Sequence, residues 1–309
     1  MPVLRKVLRA IATTMVGVTL VFVAMRSAGD PALEIFGPDT FSQSTIDAYR
    51  AQWGLDRPVW EQYRTYLANA VTGDLGVSFV DGRPALAVVA ERLPNTLVLM
   101  GASFLLMLVI GVPAGVWAAL HRNRWSDTAI SAAAVTCHSL PNFFLGMLLI
   151  LVFSVWLQWL PVGGAGGIDR LILPAIAFGA SGAGVFARFA RAGTLDVLQQ
   201  PYVIAARARG LSERDVVVRH VLPNAALPLV TIIGLTAGGL IAGSVVVETV
   251  FGWPGVGRLL VTSAAHRDLA VVQVIVLLVI VSMTTANLLV DLAYGWLDPR
   301  IRRSAGRAS

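Results

Sequence analysis

The sequence predicts an all-α integral membrane protein with six transmembrane helices, on the evidence of its composition, its apolar segments and its loop charges. Hydrophobic residues make up 56% of the 309 positions and charged residues only 14%, whereas about a quarter of the residues of a soluble domain are charged. A helix needs roughly 20 mostly apolar residues to cross the hydrocarbon core of a bilayer. Six segments reach that scale: Leu8–Met25, Asn95–Leu120, Ala129–Trp156, Leu171–Phe189, Ala225–Val247 and Leu269–Leu292.

Basic segments between these spans predict the orientation of the chain. Short loops rich in Lys and Arg remain in the cytoplasm, and such segments lie at 5–9, 121–124, 188–219 and 300–307. They fit six crossings with both termini in the cytoplasm. Although the net charge is +6, the basic residues lie beside the spans and not in one patch with interleaved aromatics, which argues against a nucleic-acid partner.

The first segment, residues 1–26, is predicted to be a cytoplasmic N-terminus followed by the first transmembrane helix. A cleavable signal peptide is the alternative, because a basic start precedes the apolar run. Arg26 argues against it, since a small residue is needed at that place for cleavage after Ala28. We therefore expect the helix to be retained.

Residues 27–94 are predicted to form a small helical insertion outside the membrane. Ser44 can cap a helix that runs to Trp53, and Pro58 can begin a second one. Apolar and aromatic residues then recur at helical spacing until Gly73, and they are Val59, Trp60, Tyr63, Tyr66, Leu67 and Ala70. We expect this insertion to pack on the membrane domain.

Residues 95–299 are predicted to be the transmembrane core, followed by a basic cytoplasmic tail at 300–309. Within the core, the loop 190–221 predicts two short helices separated by Gly210, which can adopt the left-handed conformation that ends a helix. Ser212 and Asp215 have the spacing of a capping box for the second helix. Ala205 and Ala206 leave one face of the first helix nearly bare for a partner, and Arg207 and Arg209 flank that face.

This loop resembles the cytoplasmic signature of the permease subunits of bacterial ABC importers. The similarity lies in Ala205 and Ala206, then Gly210 after three residues, then Leu222-Pro223. Ile204 stands where the signature has glutamate, and His220 where it has isoleucine. In that family the loop docks into a cleft on an ATPase, so the resemblance implies an ATPase-coupling role for Tyr202, Ala205, Ala206, Arg207, Arg209, Gly210, Leu222 and Pro223.

Three further segments resemble the dipeptide, oligopeptide and nickel permease family: 73–78, 248–257 and 298–300. The long outer insertion is similar to that of the first of the two paired membrane subunits. The resemblance implies a type I ABC importer permease fold in the bacterial plasma (inner) membrane. It also implies a second homologous permease subunit in a heterodimer, two ATP-binding-cassette ATPase subunits and an extracytoplasmic solute-binding protein.

The resemblance further implies an outer gate at the segment that follows the fifth span, where the residue types themselves indicate only a turn. Its candidate residues are Glu248, Phe251, Trp253, Pro254 and Gly255. Polar groups within apolar spans are candidates for the translocation path, although each can equally form an interhelical hydrogen bond: Ser139, Asn142, Ser244 and Asn287. Two glycine pairs at i, i+4 spacing, Gly111/Gly115 and Gly239/Gly243, predict close helix packing.

No ATPase site is predicted in this chain. A phosphate-binding loop requires a lysine, and Lys6 at the N-terminus is the only lysine present. Any ATP and Mg would therefore be bound by partner ATPase subunits, so we expect a transport subunit that is not itself an enzyme. We predict no cofactor and no metal site, because the four histidines lie on different elements.

Two other functions are open alternatives. Gly179-Ala180-Ser181-Gly182 with His138 and Asn142 is similar to the motif of rhomboid intramembrane serine proteases, but the sixth span lacks the histidine that would serve as base. A stand-alone secondary transporter would ordinarily carry carboxylates in mid-membrane, and the middles of these spans hold none. For an importer, the solute class is open among dipeptides, oligopeptides, nickel chelates and haem.

Overall fold

The computed structural model describes residues 2–27, 44, 47, 50–51 and 56–297. Apart from one isolated bridge between Val77 and Pro84, the regular structure of this part of the chain is helical, so the all-α prediction is confirmed. The helices are α1 (Pro2–Ser27), α2 (Val59–Thr72), α3 (Ala85–Leu106), α4 (Val112–Leu120), α5 (Trp125–Ser139), α6 (Asn142–Leu149), α7 (Ile168–Leu198), α8 (Pro201–Ala208), α9 (Glu213–Asp215), α10 (Leu222–Val250), α11 (Val256–Ala265) and α12 (Leu269–Leu297).

Short π-helical segments join some of these helices into longer rods. They lie at Met107–Gly111 between α3 and α4, at Ile150–Trp156 after α6, and at Val216–Val221 between α9 and α10. Pro113 and Pro223 each follow a π segment by two residues. Because proline has no N–H to donate, the regular i to i−4 bonding is interrupted there, and a wider turn absorbs the mismatch.

Five helical rods among the described residues are long and apolar enough to cross a membrane, and a sixth span exists if one bent pair is counted. The bent pair is the predicted third span, which is not one straight helix: α5 and the rod 142–156 meet at an angle of 102°. Pro141 stands at this break. The residue before a proline is driven out of the helical region, and Leu140 is accordingly extended, with ψ of 127°.

The predicted second span begins ten residues later than the observed helix, which starts at Ala85 and continues to Leu120. These 36 residues are about 54 Å long at 1.5 Å per residue, well beyond a hydrocarbon core of about 30 Å. The first turns of α3 therefore extend past the membrane and carry Asn95 and Thr96 toward the segment after α10.

Helix α7 lies at the centre of the membrane domain and contacts α3, α4, α5, α6 and α10. A Cβ atom added at Gly111 or Gly115 would lie 2.5 Å from the Ala183 carbonyl oxygen and 2.1 Å from that of Ala187, respectively. These backbones approach each other only because glycine is present, so the packing role predicted for this pair is confirmed. In the second pair, a Cβ atom added at Gly243 would lie 2.8 Å from the Phe178 ring, whereas one added at Gly239 would meet no atom within 4 Å.

The outer insertion contains the predicted helix at Val59–Thr72, which ends at Gly73 with φ of +80°. Its tyrosine rings pack on Phe22 of α1, with centroid distances of 5.2 Å for Tyr63 and 5.5 Å for Tyr66. The helix therefore packs on the membrane domain, as predicted. Trp60 is 62% exposed, however, so only part of the periodic apolar pattern is used for packing. The helix predicted from Ser44 to Trp53 lies largely outside the described residues.

Candidate functional site: two ends of the membrane domain

Two clusters of predicted site residues lie at opposite ends of α10. We call the end that carries 121–127 and 190–221 the basic end, and the other the opposite end. Asp127, at the start of α5, accepts two hydrogen bonds from Arg191 of α7, at 2.6 and 2.8 Å. This ion pair joins the two basic loops. Arg191 entered the sequence argument only as a topological charge, and its partner was missed because 64 residues separate the two.

Helix α8 and the turn that follows it have the predicted form. The helix runs from Pro201 to Ala208, and Gly210 adopts φ of +81°, a conformation that costs other residues energy. The Ser212 hydroxyl accepts a hydrogen bond from the Asp215 amide at 3.1 Å and caps the next turn. The capping prediction is thus confirmed.

The second short helix of this loop is not a separate element, contrary to the prediction. Helix α9 has three residues and continues through the π segment Val216–Val221 directly into α10. The loop was predicted to end at residue 221 and the fifth span to begin at Ala225, where the apolar segment starts. Here Pro223 is accommodated by the π turn, so the loop and the fifth span form one continuous rod.

Ala206 does not face outward, which corrects the predicted bare surface of Ala205 and Ala206. Ala206 is fully buried with Val203, Val216 and Val221, because residues 203 and 206 share the helix face that packs on the rod. Ala205 lies on the exposed side. The outward face of α8 also carries Tyr202 and Ile204, which are 42% and 57% exposed.

The remaining predicted residues of the loop lie around this face. Arg207 donates two hydrogen bonds to the Glu213 carboxylate, at 2.8 and 3.1 Å, and so clamps the two sides of the Gly210 turn. Arg209 donates to the Ala205 carbonyl at 3.3 Å. Leu222 is half-buried and Pro223 exposed in the first turn of α10. Helix α8 is therefore fixed to the rod by its inward side, and its outward face is exposed and mainly apolar.

At the opposite end, Glu248 is fully buried in the last turn of α10. Its carboxylate accepts hydrogen bonds from the Thr96 hydroxyl at 2.7 Å and from the Arg258 amide at 3.0 Å. The Thr96 oxygen in turn accepts from the Val256 amide at 2.8 Å. Two orphan amides of the first turn of α11 are thereby satisfied, and the carboxylate lies where the helix dipole favours negative charge.

The residues between α10 and α11 are packed as tightly as this network. Trp253 donates from its indole nitrogen to the Asn95 carbonyl at 2.9 Å, and the Asn95 amide donates to the Pro254 carbonyl at 3.0 Å. Phe251 and Trp253 are buried in the apolar core. A Cβ atom at Gly255 would lie 2.4 Å from the Glu248 carboxylate. The structure brings all five predicted gate candidates together, in a buried turn.

Helix α11 itself was missed by the sequence argument, as were Asn95, Thr96 and Arg258. Its C-terminal side is also fixed, because the buried Ser78 hydroxyl donates to the buried Asp268 carboxylate just before α12. This contact gives Ser78, the last residue of the segment 73–78, a structural role. An available signal was the Gly255 start followed by an amphipathic run of ten residues.

The four predicted path residues are not brought to one place. Ser139 ends α5 and Asn142 begins α6, on the two sides of the helix break. Ser244 is fully buried and donates to the Ile241 carbonyl of its own helix at 2.9 Å, so it serves packing. Asn287 is exposed on α12, a helix that packs on α1, α3, α10 and α11.

Two residues of the protease alternative, Ser181 and His138, do lie close together. The Ser181 hydroxyl lies 3.4 Å from Nδ1 of His138, although the sequence argument gave His138 no such place. Activation of a serine also requires the base to be oriented by a third group. In the described part of the chain, the other ring nitrogen of His138 has no such partner.

Comparisons with known proteins agree on one family. Residues 111–303 match the model described as "Binding-protein-dependent transport system inner membrane component", and residues 2–100 match its N-terminal counterpart. The chain is 46% identical over 301 residues to the "Glutathione transport system permease protein GsiC" of Escherichia coli O6:H1 strain CFT073, covering 97% of this chain and 98% of that protein. The proteins of the same name from Escherichia coli K12 and Shigella dysenteriae serotype 1 are 45% identical, with the same coverage.

Among solved structures, the chain resembles two inward-facing conformations of the MetNI methionine ABC transporter. The TM-scores are 0.53 and 0.58, with 68% and 70% of this chain covered and 97% and 98% of the matched chains. The sequence identity is 21% in both cases. At that identity the likeness shows the fold alone, and it confirms the predicted type I importer permease architecture.

Proposed function

The chain belongs to the family of binding-protein-dependent transport system inner membrane components, and we propose that separate ATPase subunits drive it through the exposed face of α8. It is a multi-pass permease subunit of an ABC importer and not an enzyme by itself. The protease and secondary-transporter alternatives are not supported by these relatives. The observation that carries the coupling proposal is the outward face of Tyr202, Ile204 and Ala205, held by the buried contacts of Val203 and Ala206.

In this proposal, movement of α8 is passed to the fifth span because α8 is packed directly on the rod that continues into α10. Helix α8 packs through Val203 and Ala206 onto the rod that continues into the fifth span, and the Arg207–Glu213 ion pair spans the turn between them. A push on α8 therefore displaces α10. The orientation with both termini in the cytoplasm, supported by the basic segments, would place this face where ATPases bind ATP and Mg.

The proposed assembly follows the general design of the family: a second permease subunit, two ATPase subunits and an extracytoplasmic solute-binding protein. For the solute we propose small peptides, supported by the relatives whose name is a glutathione permease. Glutathione is itself a tripeptide, so it is the first solute to test.

The test is a charge placed on the exposed face of α8. Ala205→Glu and Ile204→Glu should insert and fold, but an unpaired charge buried at the contact costs about 3–5 kcal/mol, or roughly 100- to 4,000-fold in affinity. We expect both variants to lose the ATPase subunits during co-purification. Ser126→Glu is the matched control, because it adds the same charge at the basic end, in the first turn of α5 where an acid is favourable. Normal ATPase recovery with both α8 variants would refute the coupling surface.

A further inference from the structure

The exposed side of α5 differs in composition from the exposed side of the rod formed by α3 and α4. Between residues 128 and 139, the outward positions are small or polar, with Val135 as the one large apolar side chain among them. These positions are Thr128, Ala129, Ala132, Ala133, Val135, Thr136, His138 and Ser139.

The exposed side of the rod formed by α3 and α4 shows what a lipid-facing surface of this protein looks like. Its outward side chains are large and apolar and are more than half exposed: Leu97, Val98, Leu105, Val109 and Ile110. Lipid tails are as apolar as leucine, so large apolar side chains are favourable on a surface that contacts them. Hydroxyl and imidazole groups find no hydrogen-bond partners among lipid tails, so their exposure to lipid is unfavourable.

His138 and Ser181 lie at the edge of the α5 face and deep in the membrane domain. Residue 138 is eleven positions after Asp127, and residue 181 is ten positions before Arg191, the partner of Asp127. At 1.5 Å per residue the His138–Ser181 pair is therefore about 15 Å from that ion pair. Because a charged pair is favoured at the edge of the hydrocarbon core and not inside it, this distance corresponds to the middle of a core about 30 Å thick. Polar groups at this depth ordinarily face protein or water.

The helix break lies directly beside this pair. The 102° bend at Leu140–Pro141 interrupts regular backbone bonding one turn from His138. Irregular backbone at membrane depth occurs where it is covered by protein or lines a water-filled cavity, and broken helices of transporters frame solute sites. Ser139 and Asn142 add polar side chains on the two sides of the break.

We propose that the outward face of α5, with the His138–Ser181 pair and the adjoining break, lines the solute path in mid-membrane. This inference rests on the permease function proposed above. The face offers imidazole, hydroxyl and amide groups and no fixed charge, which suits a polar solute with exposed carbonyl and amide groups. Ser244 and Asn287 do not belong to this lining.

Water access tests the proposal in the assembled importer. Single cysteines replace Thr136, His138 or Ser139 in a Cys137→Ser background, and Leu105→Cys, further along α3 and 60% exposed, is the lipid-facing control. Reaction with a charged, membrane-impermeant methanethiosulfonate requires a thiolate, which forms in water. We expect the three α5 cysteines to react at least tenfold faster than the control in preparations verified to contain the ATPase subunits.

Two results would overturn the lining. Rates equal to that of Leu105→Cys would place the α5 face in lipid. Reaction in the purified chain but protection in the assembled importer, at rest and during ATP hydrolysis, would make the face a contact with the second permease. Failure of the ATPase subunits to co-purify at all would instead contradict the proposed function, so the two failures are distinguishable.

Discussion

The two ends of the membrane domain differ in how completely the chain covers their predicted site residues. At the opposite end, Glu248, Thr96 and Asp268 are buried, and they bond to groups of this same chain. At the basic end, the outward face of α8 leaves Tyr202 and Ile204 exposed above a small buried cluster. The turn at the opposite end is thus held by contacts within the chain. At the basic end the chain holds α8 in place but leaves the outward face of α8 uncovered.

This contrast separates two kinds of substitution. A change in the buried network or beneath α8 should reduce stability, because it leaves polar or charged groups without partners. A change on the outward face of α8 should leave the fold intact and affect partner binding alone.

The largest effect is expected from Ala206→Glu. The carboxylate would be buried among Val203, Val216 and Val221, at a cost of about 3–5 kcal/mol. This small apolar cluster is what packs α8 onto the rod. Helix α8 should detach from the rod. Limited trypsin digestion of the purified chain should then cleave rapidly after Arg207 and Arg209.

Ala205→Glu is the control for this experiment, since it places the same charge on the outward face. It should keep the trypsin resistance of the parent chain while losing the ATPase subunits. Equal trypsin sensitivity in the two variants would show that the inward and outward faces of α8 are not distinct.

A smaller effect is expected from Thr96→Val at the opposite end. The shape is retained, but the Val256 amide and one Glu248 oxygen lose their hydroxyl partner, which costs about 1–3 kcal/mol. The apparent melting temperature of the purified chain should fall, and Thr96→Ser should restore it. A Thr96→Val protein as stable as the parent would mean that this network does not hold α11.

The smallest effect is expected from Ser212→Ala, which removes the cap on the Asp215 amide. Such caps contribute about 1 kcal/mol. Hydrogen exchange of the amides at 215 and 216, which are bonded to Ser212, should accelerate about fivefold, with little change in overall stability. Ser212→Thr keeps a hydroxyl that can both accept from the Asp215 amide and donate to the Asp215 carboxylate, so it should exchange at the parental rate; acceleration in both variants would point to packing instead of capping.

Some of what the sequence argument missed was visible in local pattern. Pro141 already marked the break in the third span, since the residue before a proline leaves the helical region. Val203 and Ala206 are three positions apart and therefore share a helix face, which with the valines at 216 and 221 indicated an inward side for α8. Ala205 and Ala206 are adjacent, and adjacent residues of a helix point about 100° apart, so the two alanines do not share a face.

Other features depended on residues far apart in the chain. Thr96 and Glu248 are 152 positions apart, Ser78 and Asp268 are 190 apart, and His138 and Ser181 are 43 apart. No local pattern assigns such partners, because each depends on which helices pack together and at what depth.

The sequence by itself determined that the chain lies in a lipid bilayer and which segments are apolar enough to cross it. Apolar length, arginine-rich loops, Gly73 and Gly210 each act through one segment or one residue, so they can be recognised without knowing the fold. Tertiary structure alone decided which side of α8 is buried, which amides Glu248 and Thr96 satisfy, and that α5 bends beside a mid-membrane polar pair. Those outcomes arise from packing against α7 and α10, where a side chain's environment is set by its neighbours in space and not by its neighbours in sequence.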